Sequence, residues 1–219
     1  MNKKNKQVLN YMTKVAIFSA FSTILYFFPK FPLPFLFPSF LDIQFSNLPA
    51  ILGSFVLGPI GGSLIIIIRT IIKLPFSSTA CVGEFADLII GLATVLTSSI
   101  IYKKHKTKKG GLIALCFGVL AWVGMAIIAN YSFLIDFYAK FYADFGGMNM
   151  IVATCQKVLP NITLENFMLY YICGAIIPFN LLLSVIVSLV TFLVYKRVSV
   201  FFKKDFFHEK ENCHENSNN

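Results

Sequence analysis

The chain has 219 residues, 57% of them hydrophobic and only 13% charged. A soluble domain carries roughly 25% charged residues, so this composition is that of a membrane protein. The net charge is +9, but the basic residues lie in short clusters between apolar runs, where they orient spans, which argues against a nucleic-acid-binding role.

The N-terminal segment MNKKNKQVLNYMTK is basic and leads into an apolar stretch. No small-residue cleavage site follows it, and further spans do, so it reads as a retained first helix over about 12–28. Next comes FPLPFLFPSFLDIQFSNLPA, beginning at Phe31. It is as apolar as a span, yet Pro32, Pro34 and Pro38 forbid an ordinary helix. Bare in lipid, its unpaired backbone groups would each cost several kcal/mol. Bare in water, it would expose a run of Phe and Leu. Two readings remain: a segment folded back over the helices as a lid, or a rigid turn.

The apolar block from Pro49 to Ile72 is interrupted by LGPIGG at 57–62. Gly58, Pro59, Gly61 and Gly62 predict a tight reversal and two short helices, about 46–58 and 60–74. A fourth helix is expected at about 83–102, a fifth at about 111–135, and a sixth at about 167–195 with a kink at Pro178.

Charge orients these spans. Lys3, Lys4, Lys6 and Lys14 accompany the first helix, and Lys103, Lys104, Lys106, Lys108 and Lys109 separate the fourth from the fifth. Lys196, Arg197, Lys203, Lys204 and Lys210 follow the sixth. Six spans place all three clusters, fourteen of the nineteen basic residues, on one side. The positive-inside bias makes that side the cytoplasm and puts both termini there. A five-span count would throw the last cluster outside. The outer connections are then about 29–45, 75–82 and 136–166.

Several chemistries lack their motifs. No G-x-x-x-x-G-K-[ST] sequence provides a P-loop, and no H-E-x-x-H or comparable cluster provides a metal site. His105, His208 and His214 sit in basic or tail segments, so a Ser–His–Asp arrangement has no intramembrane histidine. Cys213-His214 in the tail offers only two ligands. The five cysteines form no C-x-x-C pair and read as free thiols.

A few polar groups remain within or beside the outer half of the spans: Arg69, Lys73, Glu84, Asp87 and Asp136. Such groups face one another or a cavity. Arg69 and Lys73 share a helical face, as do Glu84 and Asp87, which predicts an ion pair between the faces, a polar pocket wall, or both. Asn130 and Asn180 carry carboxamides able to read the amide or imide edge of a flat heterocycle. Asn180 equally suits the carbonyls freed by Pro178. On the first helix, Ala16 and Ala20 have the small-xxx-small spacing that lets another helix approach.

The run FPLPFLFPSFLDIQFSNLPA with LGPIGG, then GEFADLIIG at 83–91, Asn130-Tyr131, and PFNLLL at 178–183 occur in an order that resembles the substrate-binding S components of energy-coupling factor (ECF) vitamin transporters, most closely the riboflavin-binding branch. The resemblance covers about residues 10–200. It implies an all-α integral membrane fold of six transmembrane helices with a pocket open outward beneath the proline-rich first outer loop. It also implies the plasma membrane of a bacterium, no ATPase activity in this chain, and no cofactor. The partners implied are an ECF transmembrane scaffold subunit and two ATPase subunits. The domain would span 1–205, with a polar cytoplasmic tail at 206–219.

For the site, the resemblance implies that Asn130 and Asn180 read the flavin ring, with the loop around Ala80 and Gly83 lining the pocket. Ala16 and Ala20 would be the docking face. Phe40 and Phe45, from the lid, are expected to cover the ring. Departures from the branch pattern cluster near the ligand. Leu183 stands where a lysine is usual, and Gln44 and Asn47 stand where aspartates are. Arg69 replaces a lysine, Thr70 an asparagine and Asp87 another asparagine. With Glu84, the positions Arg69, Thr70 and Asp87 complete the expected pocket residues. The ligand classes left open are a flavin and another vitamin-like nutrient. Outside the family, the alternatives are a small membrane enzyme acting on lipid, with Glu84 and Asp87 as its acidic pair, and a self-sufficient permease.

Overall fold

The computed structural model describes residues 3–28, 31–77 and 79–195. The basic cluster after residue 195 and the 206–219 tail lie outside the described residues. Helix α1 (Lys3–Phe27) begins well before residue 12, because its basic first turns continue into the apolar span without a breaker. Strands β1 (Phe31–Pro32) and β2 (Asp42–Ile43) pair antiparallel, with Phe31 opposite Ile43 and Pro32 opposite Asp42.

Between these strands the proline-rich stretch folds back in tight turns. The amides of Leu36 and Phe37 donate to the Leu33 carbonyl, and that of Leu41 donates to Pro38. Prolines here supply carbonyls to turns and lose nothing by lacking an N–H. Phe37 is buried and packs edge-on against Phe179 at 5.2 Å between ring centroids. Phe40 lies 6.2 Å from the Tyr171 ring, and Ser22 Oγ donates to the Ser46 carbonyl at 2.6 Å. The stretch is therefore laid over the helices, anchored on the last helix and on α1.

Helix α2 (Asn47–Lys73) is one hydrogen-bonded run with a break at Gly58, where φ is 84° and ψ is −179°, a conformation open only to glycine. In a straight helix Asn47 and Arg69 would stand about 33 Å apart at 1.5 Å per residue. Instead Arg69 Nη2 donates to Asn47 Oδ1 at 2.8 Å. The run therefore doubles back at Gly58 into two antiparallel limbs, as LGPIGG predicts. The limbs meet through glycines: a Cβ on Gly62 would lie 2.4 Å from Ser54 Cβ, and one on Gly53 would lie 2.4 Å from Ile65.

Helix α3 (Val82–Lys104) follows a short loop. Helix α4 (Lys108–Ala129) starts at Thr107, whose side chain accepts the Gly110 N–H at 3.0 Å. It runs through a π turn (Asn130–Leu134) into α5 (Ile135–Phe141), so this span reaches Phe141 rather than stopping near 135. The expected outer connection from 136 thus begins as helix and carries a further helix, α6 (Gly147–Gln156). Finally α7 (Phe167–Tyr171) passes through a second π turn (Ile172–Ile176), and helix continues to Tyr195. Among the described residues, counting both limbs of α2, six apolar helical segments make up the bundle.

The core has two parts. One runs along the bundle axis through Ile51, Ile65, Ile66, Val95, Trp122 and Phe179. The other sits at one end of the bundle, where α6 lays Ile151, Val152 and Cys155 onto Phe167 and Tyr171. Burial pushes the Cys155 thiol up to about 11. At the opposite end the Tyr102 and Tyr195 hydroxyls share a hydrogen bond, and Phe55 stacks on Tyr102 at 4.4 Å. Tyr11 of α1 reaches Gly61 there. The start of α1, the Gly58 reversal and the end of the last helix therefore share the end that carries Lys103 and Lys104.

Candidate functional site

Arg69 is fully buried. Besides its bond to Asn47, Nη2 contacts Asp87 Oδ2 at 2.7 Å, tying the second limb of α2 to α3. The ion pair expected between these faces is present. The guanidinium lies 5.2 Å from the Tyr26 ring centre, and Lys73 Nζ lies 4.3 Å from that of Phe27, so both cations rest on aromatic faces of α1. Gly91 makes room for this cluster: a Cβ there would come within 3.1 Å of Asn47 Oδ1 and 3.2 Å of Arg69 Nη2.

Glu84 is also buried, and it accepts hydrogen bonds from Ser77 Oγ at 2.6 Å and Thr79 Oγ1 at 2.9 Å. The loop carrying these hydroxyls is tight, with Ala80 and Cys81 both in the left-handed region at φ 47° and 69°. Gly83 follows, wedged so that a Cβ would lie 2.8 Å from Thr79 Oγ1 and 3.0 Å from Tyr138 Oη. A cavity of about 400 Å³ opens beside this loop, lined by Thr70, Leu74, Ala80, Cys81, Phe85 and Phe133 among others. Its walls are almost wholly apolar. Thr70 turns its hydroxyl back to the Ile66 carbonyl at 2.9 Å.

The two asparagines lie elsewhere, each bonded across the contact between the α4 span and the last span at its own level. Asn130 opens the first π turn; its Nδ2 donates to the Ala126 carbonyl at 2.8 Å, and Tyr171 Oη donates to its Oδ1 at 3.3 Å. Asn180 lies just past the second π turn; its Nδ2 donates to the Ile176 carbonyl at 2.9 Å, and Trp122 Nε1 donates to its Oδ1 at 3.0 Å. A π turn misaligns the helical ladder and so re-aims side chains at its level. Phe40 touches Tyr171, the partner of Asn130, and Phe37 touches Phe179, the neighbour of Asn180. Phe45 packs against the axial core.

The expected pocket residues thus separate into a buried ion pair with its polar surround, the wall of an apolar cavity, and two carboxamides bonded at different levels between the α4 span and the last span. Ala16 and Ala20 stand apart from all three. They are exposed on α1, in one stripe with exposed Met12 and Ile24. Residues that contact these clusters yet escaped the sequence reading include Tyr26, Phe27, Ser77, Thr79, Trp122 and Tyr171. Trp122 carried a usable signal, since an indole N–H inside a bilayer must find an acceptor and Asn180 is among the few on offer.

These features define a multi-pass helical membrane protein whose buried charged groups Arg69, Lys73 and Glu84 are gathered at the end away from Lys103 and Lys104. Residues 10–195 match the family described as "ECF transporter, substrate-specific component", and the chain belongs to that family. It is 29% identical over 92% of its length, and 97% of the relative's, to "Riboflavin transporter RibU" of Staphylococcus aureus strain TCH60. It is 24% identical over 76% of its length, and 80% of the relative's, to "Riboflavin transporter FmnP" of Bacillus subtilis strain 168. Its fold matches a solved chain described under "Structure and mechanism of the S component of a bacterial ECF transporter" with a TM-score of 0.62 and 25% identity, covering 92% of this chain and 99% of that one. The protein is accordingly a multi-pass component of a bacterial plasma-membrane transporter.

Proposed function

We propose that this chain captures riboflavin on the outer side of the membrane and delivers it to an ATP-driven complex of an ECF scaffold subunit and two ATPase subunits. The observation that carries this reading is the end-to-end match to relatives named as riboflavin transporters, combined with two buried carboxamides beside the residues that the aromatic lid touches. Apolar walls and stacking give affinity to a flat ring. The amides give discrimination, because a buried amide left unpaired is costly. Asn130 and Asn180 read the ring, Phe40 and Phe45 cover it, and Ala80, Gly83, Thr70, Arg69, Glu84 and Asp87 shape the outer wall. With no motor in this chain, release requires a partner that favours the emptied state, and the exposed Ala16–Ala20 stripe is where that partner docks. The single domain covers 1–205.

A second reading, an S component for another vitamin-like nutrient, is favoured by one observation. Leu183, where a lysine is usual in the riboflavin branch, is buried in the axial core and brings no charged donor near the ring. The lipid-enzyme reading loses its acidic pair, since Asp87 is bound to Arg69 and Glu84 to two hydroxyls. The test is to purify the chain in mild detergent and record its visible spectrum. Yellow protein that releases a flavin on denaturation supports the riboflavin reading. Colourless protein that also fails to quench added riboflavin moves the ligand to another nutrient.

A further inference from the structure

The end of the bundle that carries Lys103 and Lys104 is charged in one sign only. Between α3 and α4, residues 103–109 read KKHKTKK, five lysines in seven positions, and all five are exposed. The turn that presents them is tight. The Thr107 amide donates to the His105 carbonyl at 2.8 Å, and the Gly110 amide donates to Thr107 Oγ1 at 3.0 Å. A Cβ on Gly110 would lie 1.9 Å from the His105 carbonyl oxygen, so only glycine lets α4 start this close to the end of α3. The lysines are thereby held in one short arc.

These charges have no counter-charge at hand. Among the described residues no ion pair involves any of the five. The acidic residues before residue 196 are Asp42, Glu84, Asp87, Asp136, Asp144 and Glu165, which lie on the lid, near the start of α3, or between Ile135 and Phe167. Asp87 is already bound to Arg69. It stands about 24 Å along α3 from Lys103 at 1.5 Å per residue, roughly three times the screening length of about 8 Å in physiological salt. Residues 196–219 hold five basic and four acidic side chains, so they bring no net negative charge.

Next to the lysines the surface turns apolar at once. Ile100 on α3, and Leu112 and Ile113 on α4, are exposed within about a turn of the loop. A soluble acidic partner has no use for that flank. A phospholipid matches both parts, with a negative headgroup above and acyl chains beside the helices. We propose that the 103–109 loop is a binding site for anionic phospholipid, its lysines on the headgroup phosphate and Ile100, Leu112 and Ile113 on the acyl chains. Lys4 and Lys6, exposed at the start of α1, widen the patch at the same end. Each lysine beside an anionic leaflet adds up to about fivefold in affinity. The site is separate from the nutrient pocket and independent of which nutrient is captured.

The test titrates the full-length chain in mild detergent with phosphatidylglycerol or phosphatidylcholine of the same acyl chains, counting bound lipids by native mass spectrometry. Phosphatidylglycerol should bind about tenfold more tightly or better, and the preference should collapse in about 1 M ammonium acetate, where the screening length is about 3 Å. The quintuple variant Lys103→Gln, Lys104→Gln, Lys106→Gln, Lys108→Gln, Lys109→Gln should lose the preference, and the five matching Arg changes should keep it. Lys140→Gln with Lys157→Gln, exposed at the other end, should leave it unchanged. Should the quintuple variant fail to insert, Lys106→Gln and Lys108→Gln singly are expected to weaken phosphatidylglycerol binding about two- to fivefold.

Equal binding of the two lipids by the wild-type chain would overturn the proposal. So would a preference that survives the glutamine changes, or one lost only in the Lys140→Gln, Lys157→Gln control. Displacement of phosphatidylglycerol by equimolar inorganic phosphate would also overturn it, leaving a site for free anions. Salt-sensitive binding of an acidic peptide without any lipid preference would overturn it in favour of a protein partner.

Discussion

Arg69 shows how a membrane protein keeps a charge inside. Its side chain is fully buried, with carboxylate and carboxamide both on Nη2 and an aromatic face alongside. Burying such a pair gains little over apolar residues, but removing one partner strands the other charge at a cost of about 3–5 kcal/mol. Asp87→Ala is therefore expected to lower the thermal unfolding midpoint sharply in detergent, while the double variant Arg69→Met with Asp87→Leu recovers much of the loss. A double variant as unstable as the single one would refute this account of the pair. The residue pattern of the sequence exposed these charges, because ionisable groups are rare in apolar spans. It did not reveal that Asn47, 22 residues upstream, would share the same guanidinium nitrogen.

Among elements, α2 carries the most information. Its reversal was legible in LGPIGG because glycine alone adopts the Gly58 conformation and Pro59 cannot continue a ladder from before it. Gly58→Ala should cost about 1–3 kcal/mol through backbone strain alone, since a Cβ there meets no atom within 4 Å. Unfolding in denaturant measures it, and an unchanged midpoint would show that the turn is not strained. The extension of the fifth span through the π turn to Phe141 was not legible. No breaker marks the point, and Asn130, which opens the turn, meets its partner Tyr171 only in the folded chain. The lid lies between these cases. Its prolines excluded a helix and its apolar content excluded a wet loop, but the choice of Phe179 and Tyr171 as its seats belongs to the folded chain.

At the scale of the whole molecule, α1 is the least covered span. Met12, Ala16, Ala20 and Ile24 form one exposed stripe along it. Small side chains in such a stripe let a partner helix come close. Ala16→Tyr or Ala20→Tyr is expected to abolish riboflavin uptake by cells while leaving binding by the purified chain unchanged. Normal uptake in either variant would remove the stripe as the docking surface. The proposed division of labour has a counterpart in the fold: the lid seats on the last helix and its neighbours, and the exposed stripe is on α1.

By itself the sequence determined the membrane environment, the apolar segments, the reversal at Gly58 and the family. These follow from local rules, because hydropathy, backbone conformation and clustered charge act over a few residues. Tertiary structure alone decided how the polar groups are shared. It joined Arg69 to both Asn47 and Asp87, gave Glu84 to two loop hydroxyls, and set Trp122 and Tyr171 against the two asparagines. Each pairing spans helices that are neighbours only once packed, and inside an apolar bundle a polar group takes whichever partner packing brings within reach.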